Sequence, residues 1–216
     1  MTNAVWAVIA VMYGYWACVR ARSDVQRQRL IGTVFGEAHV TEHRLTLVVV
    51  PLMCGGVVAI FATHHSSGTL IAACVACVAT GLRVSLVDID THSIPRHVMV
   101  KSGGVLLALV TVASWTANSV SLSAVLLGGA LSWTFMRMVE LLSRGDIGHA
   151  DVVLSGYLGL FVGAIGLQLV PLAIFASFFF AGLVAVVMIA TKLMTRRSHL
   201  PFGPFLVSGM VLAVLR

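Results

Sequence analysis

Charge is the scarcest commodity in this chain: of 216 residues only 10% are Asp, Glu, Lys or Arg, and just eight are acidic. Ordinary soluble domains carry about 25% charged residues, so a surface that faces water on all sides is excluded. The cysteines do not supply a framework either. Cys18, Cys54, Cys74 and Cys77 all lie inside apolar runs, which excludes a secreted disulfide scaffold. Cys74 and Cys77 form a lone CxxC with no second pair and no polar shell, and read as small apolar helix residues rather than a zinc or redox site. No internal repeat is evident. The formal charge of +6 does not imply nucleic acid, because the fourteen Lys and Arg fall mainly into short patches between apolar runs instead of along one face.

What the chain does have is hydrocarbon. It is 59% hydrophobic, with a mean hydropathy of +1.00. Runs long enough to cross a bilayer fall near residues 4 to 19, 45 to 63, 69 to 87, 98 to 117, 120 to 142, 152 to 170, 172 to 191 and 202 to 215. The expectation is an all-α polytopic membrane bundle of about eight transmembrane helices, forming one domain over residues 1–216 with lipid as its solvent. The first run has no basic segment before it and no small-residue cleavage site after it, so it reads as a retained helix rather than a signal peptide.

Basic residues alternate between connections. Arg20, Arg22, Arg27 and Arg29 follow the first span, Arg96 and Lys101 flank the third loop, Arg144 lies in the fifth, and Lys192, Arg196 and Arg197 follow the seventh. The connections at 63–68, 116–119 and 168–171 carry no charge at all. By the positive-inside rule the loops at 20–44, 88–97, 143–151 and 192–201 are cytoplasmic, and both termini lie outside. The 20–44 stretch reads as a loop or one short surface helix. Its His39 and His43, with Glu42, have a spacing that can share a helix face, but a solvated loop explains them. Gly128 to Ala130 suits close helix packing in lipid.

The acids can be named completely: Asp24, Glu37, Glu42, Asp88, Asp90, Glu140, Asp146 and Asp151. Five of the eight bracket two loops assigned to the same side, SLVDIDTHSIPRHVM and RGDIGHADVVLSGYLGLFVG. Two carboxylates a few ångströms apart cannot both ionise cheaply. Such a pair holds one proton, so one member activates water while the other polarises a scissile carbonyl.

The first loop resembles the prepilin-peptidase pattern of an Asp at a helix end followed seven residues later by Pro, here Asp88 and Pro95. The second is similar to that family's GxGD element, reading Gly148-His149-Ala150-Asp151, then Val152, Leu154, Gly159 and Gly163. A third likeness is LPFGPFL, with Pro201, Phe202, Gly203 and Pro204 before the last helix. The matches occur in family order from about Val84 onward. The resemblance implies an intramembrane aspartyl endopeptidase with Asp88 and Asp151 as catalytic pair and no metal or other cofactor. Its partners would be membrane lipid and the precursor of a type IV pilin or pseudopilin, whose basic leader is cut at the cytoplasmic face of a bacterial or archaeal plasma membrane.

The sequence also departs from the pattern. Ala150 replaces the motif's second glycine, so a positive φ there would cost energy. Val153 stands at a usual Lys, and Arg96 follows Pro95 where an acid or amide is common. The cytoplasmic domain with two CxxC pairs seen in bifunctional members is missing, which makes N-methyltransferase activity doubtful. Asp90 and Asp146 read as solvated loop residues, with binding of the leader's positive charge as the alternative. His92, His97 and His149 read as bystanders or tuners of the pair, and the PFGP segment as a turn beside the site. Helix-end electrostatics predict that Asp151, opening a helix, carries the charge, and Asp88, closing one, the proton. The competing readings are a non-catalytic pilin-binding relative and a proton-coupled transporter; oligomeric state is open.

Overall fold

The computed structural model describes residues 2–31, 40–91, 96–116, 120–143, 147–192 and 200–216. Among them the regular structure is entirely helical: α1 (Thr2–Leu30), α2 (Thr46–His64), α3 (Gly68–Thr91), α4 (Arg96–Thr116), α5 (Leu122–Leu142), α6 (His149–Ile165), α7 (Val170–Ala190) and α8 (Gly203–Val214), with a 3-10 turn at Leu167–Leu169. Most of these segments are apolar around much of their circumference. In lipid only an internally hydrogen-bonded backbone is tolerable, which makes helix the one economical solution. The protein is a multi-pass helical membrane bundle.

Six helices, α1 to α5 and α7, are long and apolar enough to cross a membrane. The other two are shorter, α6 with 17 residues and α8 with 12. At about 1.5 Å per residue, α8 rises only about 18 Å, well short of a hydrocarbon core of about 30 Å. Both short helices pack against α3 and against each other, so they are sheltered by protein.

Two boundaries correct the expectation. α1 does not end near residue 19 but continues through Leu30, so the first part of the expected 20–44 loop is helix. The extension is possible because its one acid is neutralised: Asp24, buried, accepts from Nε and Nη2 of Arg83 on α3 at 2.9 and 2.6 Å. α3 likewise runs through Thr91. Asp88 and Asp90 are therefore helical residues, and Asp151 stands in the first turn of α6, none of them in a loop.

The small residues act as the sequence suggested. A Cβ on Gly128 of α5 would lie 2.6 Å from the Gly159 carbonyl oxygen and 2.7 Å from Gly163 Cα on α6. Across the same seam the Ser155 hydroxyl donates to the Ser132 carbonyl at 3.2 Å. This backbone-to-backbone approach draws α6, with Asp151 at its start, onto α5.

Candidate active site

Asp88 enters the bundle from the last turns of α3 and is 6% exposed; Asp151 enters from the first turn of α6 and is 9% exposed. Val84, Val87, Val152 and Leu154 around them are buried. The antiparallel run of α3 and α6 places one helix's C-terminal turn beside the other's N-terminal turn, and the two carboxylates lie within range of each other's charge. An acid in such apolar surroundings is costly to hold charged, the more so beside a second.

The third element is the start of α8. The backbone N–H of Gly203 donates to Asp88 Oδ2 at 3.0 Å, a buried bond between residues 115 apart in sequence. A Cβ at Gly203 would lie 2.9 Å from the same oxygen, so a side chain there would push the carboxylate aside. Pro204, at the second helical position, suits a helix start that needs no N–H of its own. Pro201 and Phe202 are partly buried, and Phe202 packs on Phe178 of α7, ring centroids 5.1 Å apart. The PFGP segment lies beside Asp88, with Gly203 and Pro204 as the first residues of α8 instead of a turn, and it supplies a donor that the sequence did not announce.

Asp151 is the third residue of α6 and Gly148 its N-cap, with φ −73° and ψ 144°. The Asp151 N–H donates to the Gly148 carbonyl at 3.0 Å, and its carboxylate contacts the Gly148 backbone. Ala150 lies at the second helical position, partly buried against the core. Among the described residues Lys192 is the one non-glycine with positive φ, so Ala150 meets no strain and the backbone objection to it falls away. Val153 is partly exposed on the outside of α6.

Asp151 stands at the N-terminus of its own α6, while Asp88 stands both in the closing turn of α3 and against the N-terminus of α8, so a helix end that favours negative charge reaches each carboxylate.

Other expected residues lie elsewhere. Pro95, His92 and Asp146 fall outside the described residues, as does His39. His149 points to Glu140 of α5, Nδ1 to Oε2 3.5 Å, and Glu140 also accepts from Arg137; the three tie the end of α5 to the start of α6. His97 and Lys101 are exposed. Asp90 is not a solvated loop residue: its oxygens accept from the Val40 N–H at 3.1 Å, the Thr41 N–H at 2.9 Å and the Thr41 hydroxyl at 2.6 Å. Cys74 and Cys77 are buried free thiols of α3. Among the described residues no three of His, Cys, Asp or Glu gather into a metal-binding group.

The sequence is similar to that of a prepilin leader peptidase. The relative, from Bacillus subtilis (strain 168), is named prepilin leader peptidase/N-methyltransferase and is 26% identical over 132 residues, which is 61% of this chain and 50% of the relative. The chain therefore spans about half the length of the curated relative it matches. No family model matches, and no solved structure matches.

Proposed function

We propose that this protein is a membrane aspartyl endopeptidase that removes the basic leader from type IV prepilin-like precursors, with Asp88 and Asp151 as its catalytic pair. The observation that carries the reading is the meeting of two buried aspartates from α3 and α6 within range of each other's charge, in a chain similar to a prepilin leader peptidase. In this reading the pair shares one proton, the ionised carboxylate takes a proton from water, and the protonated one donates to the scissile carbonyl oxygen. The Gly203 N–H stabilises negative charge on Asp88 Oδ2 and fixes the direction in which that carboxylate points.

The helix ends that carry the pair are flanked by basic residues, which favours a site facing the cytoplasm, with both termini on the far side. Substrate is then a transmembrane helix whose leader remains on the cytoplasmic side, and lipid is a second partner. No metal or organic cofactor takes part in the proposed chemistry. The regular helical geometry at Ala150 supports an active enzyme over a pilin-binding relative without activity.

Co-expression with prepilin precursors tests the reading. Native protein is expected to shorten the precursor, and Asp88→Ala or Asp151→Ala to lower the rate by about 10²- to 10⁴-fold, with the variants still present in the membrane. Leader removal that survives either substitution overturns the pair, and a native chain that cuts no precursor overturns the function.

A further inference from the structure

Asp90 takes no part in the site described above, yet it lies two residues from Asp88 on the same helix. Residues two apart on an α-helix point about 200° apart. Asp88 accordingly faces α8, and Asp90 faces the other way, onto the short segment at 40–45 that leads into α2. Both of its oxygens are occupied there, by the Val40 and Thr41 N–H groups and the Thr41 hydroxyl.

That segment is a strap with fixed ends. Thr41 is 2% exposed, and the Thr46 hydroxyl donates to the Val40 carbonyl at 2.6 Å. Arg22 of α1 reaches over it, donating to the carbonyls of Thr41, Glu42 at 3.2 Å and His43 at 3.4 Å. Two residues further along α1, Asp24 pairs with Arg83, five residues before Asp88 on α3. The closing turns of α3 are therefore held on one face by α1 and the strap, and on the opposite face by the Gly203 N–H. Charge-assisted bonds of this kind are the strong, directional ones. They bear on the helical segment that carries one of the two proposed reacting carboxylates.

We propose that Asp90 is a positioning residue for the peptidase reaction: through the strap at 40–45 it sets where Asp88 stands, and it does not bind the leader's positive charge. This rests on the function proposed above. Both oxygens already accept from the chain, and a leader cation taking the place of these bonds would have to displace Thr41 from a buried position.

The test uses the full chain in lipid nanodiscs, with Asp90→Ala, Asp90→Asn and the milder Thr41→Val. Each is assayed on a precursor with its basic leader and on one whose leader Lys and Arg are replaced by Gln. The expected result is a fall in kcat on the order of tenfold for Asp90→Ala, smaller falls for Asp90→Asn and Thr41→Val, little change in KM, and the same ratios on both leaders. Amide exchange is expected to quicken at 40–45 and at 84–91 in the Asp90 variants. A rise in KM that vanishes with the neutral leader overturns the proposal in favour of leader binding, and an unchanged kcat also overturns it. Exchange unchanged in both segments overturns the strap itself. That last arm needs no substrate, so a native chain that cleaves nothing defeats the function alone and leaves the strap to be judged by exchange.

Discussion

The two ends of the bundle are built from different chemistry. At the end where α3 closes and α6 and α8 open, polar and charged groups meet across separate segments: Asp24 with Arg83, Asp90 with the strap, His149 with Glu140, and Asp88 with the α8 amide. At the other end, where α2 passes into α3 and α4 closes, the polar contacts are neutral. Thr63 meets His64, Ser67 meets Thr69, and Thr69 meets Thr116 at 3.3 Å. The neutral contacts lie at or near the surface, and only Thr69 with Thr116 joins distant helices, whereas Asp24 and Asp88 are buried and the contacts of Asp24, Asp90 and Asp88 join segments 49 to 115 residues apart. Charge that is expensive to bury is concentrated at one end, where it holds and surrounds the aspartate pair.

Breaking the costliest of these contacts should sharpen the contrast most. Arg83→Ala leaves Asp24 buried without its partner, and such a loss typically costs about 3 to 5 kcal/mol. A clear drop in thermal stability in detergent is expected, largely restored by pairing Arg83→Gln with Asp24→Asn. Equal stability of Arg83→Ala and the native protein would mean that this end is no more tightly held than the other.

A smaller effect is expected from Gly203→Ala. Its added Cβ would crowd Asp88 Oδ2 at 2.9 Å and push the carboxylate from its donor, lowering the cleavage rate roughly 10- to 100-fold with little change in stability. Gly104→Ala is the matched control, because nothing lies within 4 Å of a Cβ there. A Gly203→Ala rate equal to that of the control would remove the α8 amide from the reading of the site.

The smallest effect belongs to the neutral end. Thr69→Val and Thr116→Val delete an exposed hydroxyl contact and should change stability by no more than about 0.5 kcal/mol, with cleavage unaltered. A loss comparable to that of Arg83→Ala, read in the same melting experiment, would dissolve the contrast between the ends.

Much of this arrangement is written locally in the chain. Helix content, the order of eight segments and most boundaries follow from runs of apolar residues, because in lipid each segment must satisfy its own backbone. The glycines of α5 were legible as a packing surface for a similar reason: a missing side chain is a property of one position. The motif residues Asp88, Asp151 and Gly203 could be picked out singly. What a local reading could not supply was their neighbours. It placed Asp90 in water and left Asp24 and Arg83 unconnected. It also judged Asp88 by the end of its own helix alone, without the α8 amide that meets it. Hydropathy is summed along the chain, but a buried charge is satisfied by whichever donor the folded bundle brings to it. For this protein the sequence by itself determined a multi-pass helical bundle and the two aspartates worth testing; only the tertiary structure decided which groups hold each carboxylate, because those partners come from other helices.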